Sequence, residues 1–348
     1  MRIVVFSERL SPPFDEGIKN FALQLIRALR AEHDVLALTS GRAAGTEYGI
    51  VDTRANRLLL SGPLRRATRA FNPQVIIYIP TACGTAFSFL RARMLRMYGC
   101  GAPAGLIALQ PRPYGAAGKW SIRRLAADCV FAQSRRTVDA LAELGCRTVL
   151  LPPAIDTQRF APASATVKAT LRHKYGIAAD ATVATHVGHL KGKRDLVQIA
   201  SLQVSARYHA LIVGSSSTKQ DEALKQTLRG AGCTVIDGYV QDIADIYRLS
   251  DLYLFLAEDY TAAIEMPLSV LEAMACNLPV VCTPFGGLPD AFQSGNGLEY
   301  WQGDRPLLDC IDKALSDPCA TRALVEQHTW PALAWAVVHN LQRGTPLQ

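Results

Sequence analysis

The stretch Ile264-Glu265-Met266-Pro267-Leu268-Ser269-Val270-Leu271-Glu272-Ala273-Met274-Ala275 concentrates the groups that could do chemistry. Pro267 is placed to open a helix, where its missing N–H costs little. Unpaired amides in that first turn, near Leu268 and Ser269, carry partial positive charge and suit a phosphate. Leu268, Leu271, Met274 and Ala275 recur at helical spacing, so one face turns inward. Glu272 falls off that stripe, one turn inside the helix, where a carboxylate can accept hydrogen bonds from sugar hydroxyls. Phosphate and sugar hydroxyls together describe a nucleotide. The same pattern also fits an ordinary helix–strand unit with a solvated Glu272, and chemistry alone leaves both readings open.

A second candidate is Thr185-His186-Val187-Gly188-His189-Leu190-Lys191-Gly192, a strand running into a basic loop. Its glycines let the backbone approach a phosphate, and Lys191 can neutralise charge. A plain turn with a solvated lysine fits the residues equally well.

These groups need a scaffold, and the sequence supplies one twice. In the first half, strand patterns at 3–6, 35–39, 75–79, 104–109, 129–132 and 148–151 alternate with helical patterns at 17–29 and 137–143. In the second half, strands at 182–187, 209–213, 234–236, 252–256 and 279–282 alternate with helices at 194–204, 221–229, 243–249, 268–276 and 307–316. Such alternation implies mainly parallel sheets covered on both faces. Residues 152–165, rich in proline and alanine, read as the linker. The apolar helix opening at Thr329-Trp330-Pro331 closes the chain.

At 348 residues, with 49% hydrophobic and 19% charged, the chain is long and apolar enough for two cored domains. No run approaches a membrane-spanning length, and the first strand begins at once rather than as a signal peptide. Nine cysteines, with no Cys-x-x-Cys, read as reduced thiols of a cytoplasmic protein. The net charge of +7 hides an asymmetry: from Thr53 to Ala127 there is no Asp or Glu, against 12 Lys and Arg. That block points to an anionic partner. The segment 86–98 mixes Phe87, Phe89, Met94 and Met97 with Arg91, Arg93 and Arg96. It reads either as a helix in an anionic membrane interface or as a core helix with a basic edge.

Leu268-Ser269-Val270-Leu271-Glu272-Ala273-Met274-Ala275, followed by Pro279-Val280-Val281 and Gly286-Gly287, resembles the donor-site signature of family 4 of the retaining, GT-B-fold glycosyltransferases. The resemblance implies two Rossmann-like α/β domains facing a central cleft. It places an acceptor domain at 1–160, a nucleotide-sugar domain at 161–328 and a C-terminal helix at 329–348 crossing back to the first domain. It implies that Glu272 holds the donor ribose and that amides near Leu268 and Ser269 meet the diphosphate. The loop at Gly188, His189 and Lys191 is similar to the family's basic diphosphate loop. Gly238 and Tyr239 fall where the family places the donor base, and Gly17 where a glycine loop faces the substrates. Eight positions before Glu272, where the family has a sugar-binding Glu, stands Ile264, with Glu265 next. Where the family often has a histidine near the reacting sugar stands Gln110. Lys191, Glu265 and Gln110 are therefore the residues implied at the reacting centre.

By that resemblance the donor is a UDP- or GDP-sugar, with no metal and no other cofactor. The acceptor is a glycan, a lipid-linked molecule or a small molecule. The departures at Ile264, Gln110 and His189 motivate an alternative: a GT-B-fold binding or scaffold protein with little or no transfer. No nucleic acid partner is expected, because aromatics are not interleaved with the basic block.

Overall fold

The structure, a computed structural model, describes residues 1–40, 48–81, 85–112, 115–190, 195–217, 220–257 and 259–343. The chain divides into two compact units. The first comprises Met1–Pro152, the short excursion Ile264–Met266 and the C-terminal segment from Trp330; the second comprises Pro153–Ala263 and Pro267–Thr329.

In the first unit the order is β1 (Arg2–Ser7), α1 (Gly17–Arg30), β2 (Asp34–Thr39), β3 (Ile50–Asp52), α2 (Gly62–Phe71), β4 (Val75–Ile79), α3 (Ala86–Tyr98), β5 (Ala104–Ala108), α4 (Ala116–Leu125), β6 (Cys129–Ala132), α5 (Arg135–Ala142) and β7 (Thr148–Leu150). The strands form one seven-stranded sheet, β3-β2-β1-β4-β5-β6-β7. Every pairing in it is parallel. The unbroken apolar runs Val75–Ile79 and Ala104–Ala108 are buried throughout, as expected of strands covered on both faces.

The second unit runs α6 (Ala165–Lys174), β8 (Thr182–Gly188), α7 (Leu196–Ser201), β9 (Tyr208–Gly214), α8 (Glu222–Gly230), β10 (Thr234–Ile236), α9 (Ala244–Leu249), β11 (Leu252–Phe255), α10 (Leu268–Ala275), β12 (Val280–Cys282), α11 (Leu288–Ala291), β13 (Leu298–Tyr300), α12 (Leu307–Ser316) and α13 (Thr321–Val325). Its sheet has six parallel strands in the order β10-β9-β8-β11-β12-β13. The last helix, α14 (Trp330–Arg343), belongs to the first unit. There the Trp330 ring meets Phe21 of α1 edge-on, with centroids 5.3 Å apart. No described helix is long and apolar enough to cross a membrane.

The helices α2, α4, α6, α11 and α13 lie outside the helical patterns of the sequence. α2 buries only Leu64 and Thr68, and α4 buries only Ile122, so neither shows an apolar stripe. α6 begins where the linker was read to end, capped by Ser164 through the Val167 amide.

α3 corrects one expectation. Arg91 does not share an outward basic face with Arg93 and Arg96. Its guanidinium pairs with the Glu8 carboxylate, and its Nε donates to the Arg57 carbonyl at 2.6 Å. At 13% side-chain exposure it is bound inside the unit. A guanidinium this far from water needs such a carboxylate partner. Arg93 and Arg96 remain exposed.

Candidate functional site

In open α/β sheets, ligands bind beyond the carboxyl ends of the strands, where the strand order reverses. In the second unit that point lies between β8 and β11. β8 ends at Gly188 and is left through His189; the segment leaving β11 leads to α10. Both sequence motifs therefore start from the switch point.

Pro267 precedes α10 and offers no side-chain cap. Its carbonyl accepts from the amides of Val270 and Leu271. The amides before them, of Leu268 and Ser269, have no acceptor within the helix, as in any first turn. Glu272 lies one turn further on, only 6% exposed. Its Oε2 accepts a 2.7 Å hydrogen bond from the Tyr247 hydroxyl. Tyr247 is fully buried on α9, with ring centroids 5.9 Å from Phe160 and 5.7 Å from Tyr253. Burial pushes the Glu272 carboxyl above its ordinary range, opposed by the Tyr247 bond and the positive charge of Arg159. The result is a carboxylate with one oxygen fixed by a rigid phenol.

Replacing Tyr247 by Phe leaves Glu272 without that donor. An unpaired buried acceptor costs about 1–3 kcal/mol, so titration of the variant with UDP or GDP should show roughly tenfold weaker binding. Unchanged affinity would mean that Tyr247 does not orient Glu272.

Gly188 ends β8 and His189 follows it, both half-buried. Gly238 and Tyr239 follow β10 by one residue, and the Tyr239 ring is 62% exposed, free to stack on a base. Lys191, with the rest of 191–194, lies outside the described residues. Sequence reasoning missed Ser215. It follows β9, its amide donates to the Gly188 carbonyl at 3.1 Å, and its buried hydroxyl has no partner among the described residues. A serine just past a strand gave no distinguishing signal.

Two of the three residues expected at the reacting centre, Gln110 and Glu265, lie in the first unit. Gln110 follows β5 and is half-buried. The Glu265 amide donates to the Leu109 carbonyl at 2.7 Å, so Gln110 and Glu265 are neighbours. Ile264 packs so near the start of α1 that a Cβ on Gly17 would meet its side chain at 3.4 Å. The Glu265 carboxylate is buried. Its Oε1 accepts from the hydroxyls of Ser134, at 2.7 Å, and Thr137, at 2.5 Å. Ser134 in turn caps α5 through the Thr137 amide. The other oxygen, Oε2, is buried with no hydrogen-bond partner among the described residues. Burial raises the Glu265 carboxyl, against the lowering effect of the two hydroxyls. Ser134 and Thr137 were not foreseen, since a serine-to-threonine spacing of three marks only a helix start.

At the switch point of the first sheet, between β1 and β4, stands another unforeseen cluster. Glu8 accepts from Tyr78 and Arg91 on Oε1 and from Thr81 on Oε2 at 2.5 Å. With both oxygens occupied, it braces the ends of these strands.

A family model described as Glycosyltransferase Family 4 matches residues 16–159, and one described as Glycosyl transferases group 1 matches residues 181–317. The chain belongs to the group 1, family 4 glycosyltransferases. It is 30% identical over 180 residues to a D-inositol 3-phosphate glycosyltransferase of Geodermatophilus obscurus, covering 47% of this chain and 38% of that one. It is 30% identical over 162 residues to a mannosylfructose-phosphate synthase of Agrobacterium fabrum, covering 42% and 34%. The chain thus spans well under half the length of these curated relatives. Among solved structures it resembles Anabaena HepE in complex with UDP (TM-score 0.75, 14% identity, 99% of this chain and 100% of that one). It also resembles sucrose-phosphate synthase of Thermosynechococcus elongatus (TM-score 0.77, 17% identity, 99% and 98%). At such identities the likeness is one of fold. It is the GT-B fold, two Rossmann-like units with parallel sheets.

Proposed function

We propose that this chain is a retaining glycosyltransferase that moves a sugar from a UDP- or GDP-sugar to an acceptor hydroxyl. The observation that carries the reading is the buried Glu272, oriented by Tyr247 one turn inside a helix whose first amides have no side-chain cap. Glu272 accepts hydrogen bonds from the ribose. The amides of Leu268 and Ser269, with Lys191, neutralise the diphosphate; His189, Gly188 and the Ser215 hydroxyl complete that loop. Tyr239 and Gly238 meet the base. The bond from the sugar's anomeric carbon to the diphosphate breaks as the acceptor oxygen bonds on the same face. The acceptor proton passes to the departing diphosphate, so the protein mainly positions and neutralises.

The first unit, with Gly17 and Gln110, supplies the acceptor side. For Glu265 we propose a positioning role: its carboxylate pins the segment before α10 to Ser134 and Thr137. The named relatives that act on D-inositol 3-phosphate or phosphatidylinositol mannosides suggest a polyol, glycan or lipid-linked acceptor. The eight described cysteines are free, in keeping with a cytoplasmic protein.

A panel of UDP- and GDP-sugars should raise the melting temperature for one base and not the other, because a ligand bound only by the folded state stabilises it. No shift with any member would count against the donor site. A second reading, a binding or scaffold protein with weak transfer, is motivated by Ile264 at the sugar-contact position and by the engagement of Glu265 elsewhere. It requires nucleotide-sugar binding without turnover.

A further inference from the structure

The geometry points to the α3–α4 flank of the first unit as a docking surface for an anionic lipid bilayer. It does so on grounds separate from the donor site. α3 buries Ser88, Phe89, Ala92, Leu95 and Tyr98 against the unit. Its opposite face carries Phe87, Leu90, Met94 and Met97, which helical spacing lines up in one row. Phe87 is 58% and Met97 61% exposed. Leu90 and Met94 between them are half-buried, and two large apolar side chains exposed on one helix row are the reverse of what a solvated helix face shows.

α4 lies beside α3 and buries one residue, Ile122. Its outer side presents Trp120, 61% exposed, among the exposed Lys119, Arg123 and Arg124. The segment before α2 adds Leu60, 55% exposed, and is tied to α3 by the Tyr98 hydroxyl, which donates to the Leu59 carbonyl at 3.1 Å. Between α3, α4 and β5 runs a groove of about 470 Å³, lined by Ala92, Ala104, Arg93, Met97 and the Arg96–Asp128 ion pair, which leaves Arg93 as its uncommitted cation among the described residues. Apart from Asp128, which Arg96 neutralises, all of this falls within the 53–127 stretch, which has no carboxylate.

Charge decides the sign of the partner, and exposed apolar bulk decides its kind. A bilayer interface takes up Phe, Met, Leu and Trp at headgroup depth while arginines meet lipid phosphates. Nucleic acid would take the charge but would leave Phe87, Leu60 and Met97 in water. The only exposed ring on α4, Trp120, is overlain by the Arg124 guanidinium at 5.2 Å, which leaves that face unsuited to base stacking.

Vesicles of phosphatidylcholine, with and without phosphatidylglycerol, test this by co-sedimentation. The protein should bind the phosphatidylglycerol vesicles and not the pure phosphatidylcholine ones. Each cation near an anionic leaflet contributes roughly a factor of five. A variant with Arg93→Gln, Arg123→Gln and Arg124→Gln should therefore bind roughly a hundredfold more weakly. Phe87→Ser with Met97→Ser should weaken binding without changing net charge, and both variants should keep the wild-type melting temperature, since these side chains are exposed. A control removing Arg27, Lys174 and Arg343, exposed cations on other elements, should bind as wild type. Equal loss in the control, indifference to the two flank variants, or binding to RNA but not to vesicles would each overturn the proposal. Vesicle binding needs no donor, so its failure leaves the donor reading untouched.

Discussion

Glu272→Gln should bind UDP or GDP about a hundredfold more weakly than wild type while remaining folded. Gln keeps the shape and still accepts from the Tyr247 hydroxyl, so the buried pair stays satisfied. What is lost is the charge on the acceptor. Hydrogen bonds to a charged group are worth about 1.5–3 kcal/mol, against about 0.5–1.5 kcal/mol for neutral ones. Two ribose hydroxyls would thus forfeit about 2–3 kcal/mol together. Calorimetric titration with the bare nucleoside diphosphate reads this without any acceptor. Equal affinities for wild type and variant would remove Glu272 from the donor site.

Glu265→Ala should lower the stability of the first unit by about 2–5 kcal/mol, because the buried hydroxyls of Ser134 and Thr137 lose their shared acceptor. In a unit of this size that corresponds to a melting shift of about 5–15 °C. Glu265→Gln keeps an acceptor and removes the buried ionisation, so its effect depends on pH. Burial holds the Glu265 carboxyl above its ordinary 4.5, so the folded protein keeps that proton where the unfolded chain has lost it. The stability this contributes is fully present below 4.5 and is lost as pH rises through the folded value. Wild type should therefore lose more stability than Glu265→Gln between about pH 4.5 and neutrality. Glu16 and Glu272 are raised in the same direction, so the difference between the two curves, not either slope, isolates Glu265. Parallel curves would rule out the buried-acid role. If Glu265 touched the transferred sugar instead, the Gln variant would change the relative rates of donors differing in sugar.

The segment from Leu268 to Cys282 was the most legible stretch. Leu268, Leu271, Met274 and Ala275 repeat at helical spacing, and α10 forms there; the apolar run at 279–282 becomes β12. Local pattern suffices where burial is one-sided and regular. It failed at α2 and α4, whose few buried residues leave no period to read. Glu272 stands out in sequence because its helix start is local. The partners of Glu265 do not, because Ser134 and Thr137 lie 131 and 128 positions away. Arg91 taught the same lesson. Its place in an arginine-rich helix suggested an outward charge, but Glu8, 83 positions earlier, draws it inward.

The most direct test of the proposed reaction is to follow UDP- and GDP-sugars by NMR in the presence of the protein, reading both nucleoside diphosphate release and the first anomer formed. Retaining transfer, to an added acceptor or slowly to water, predicts release with one of the two bases and a product that first appears in the donor's own anomeric configuration. A donor that binds and is never consumed, or a product that first appears inverted, would contradict it.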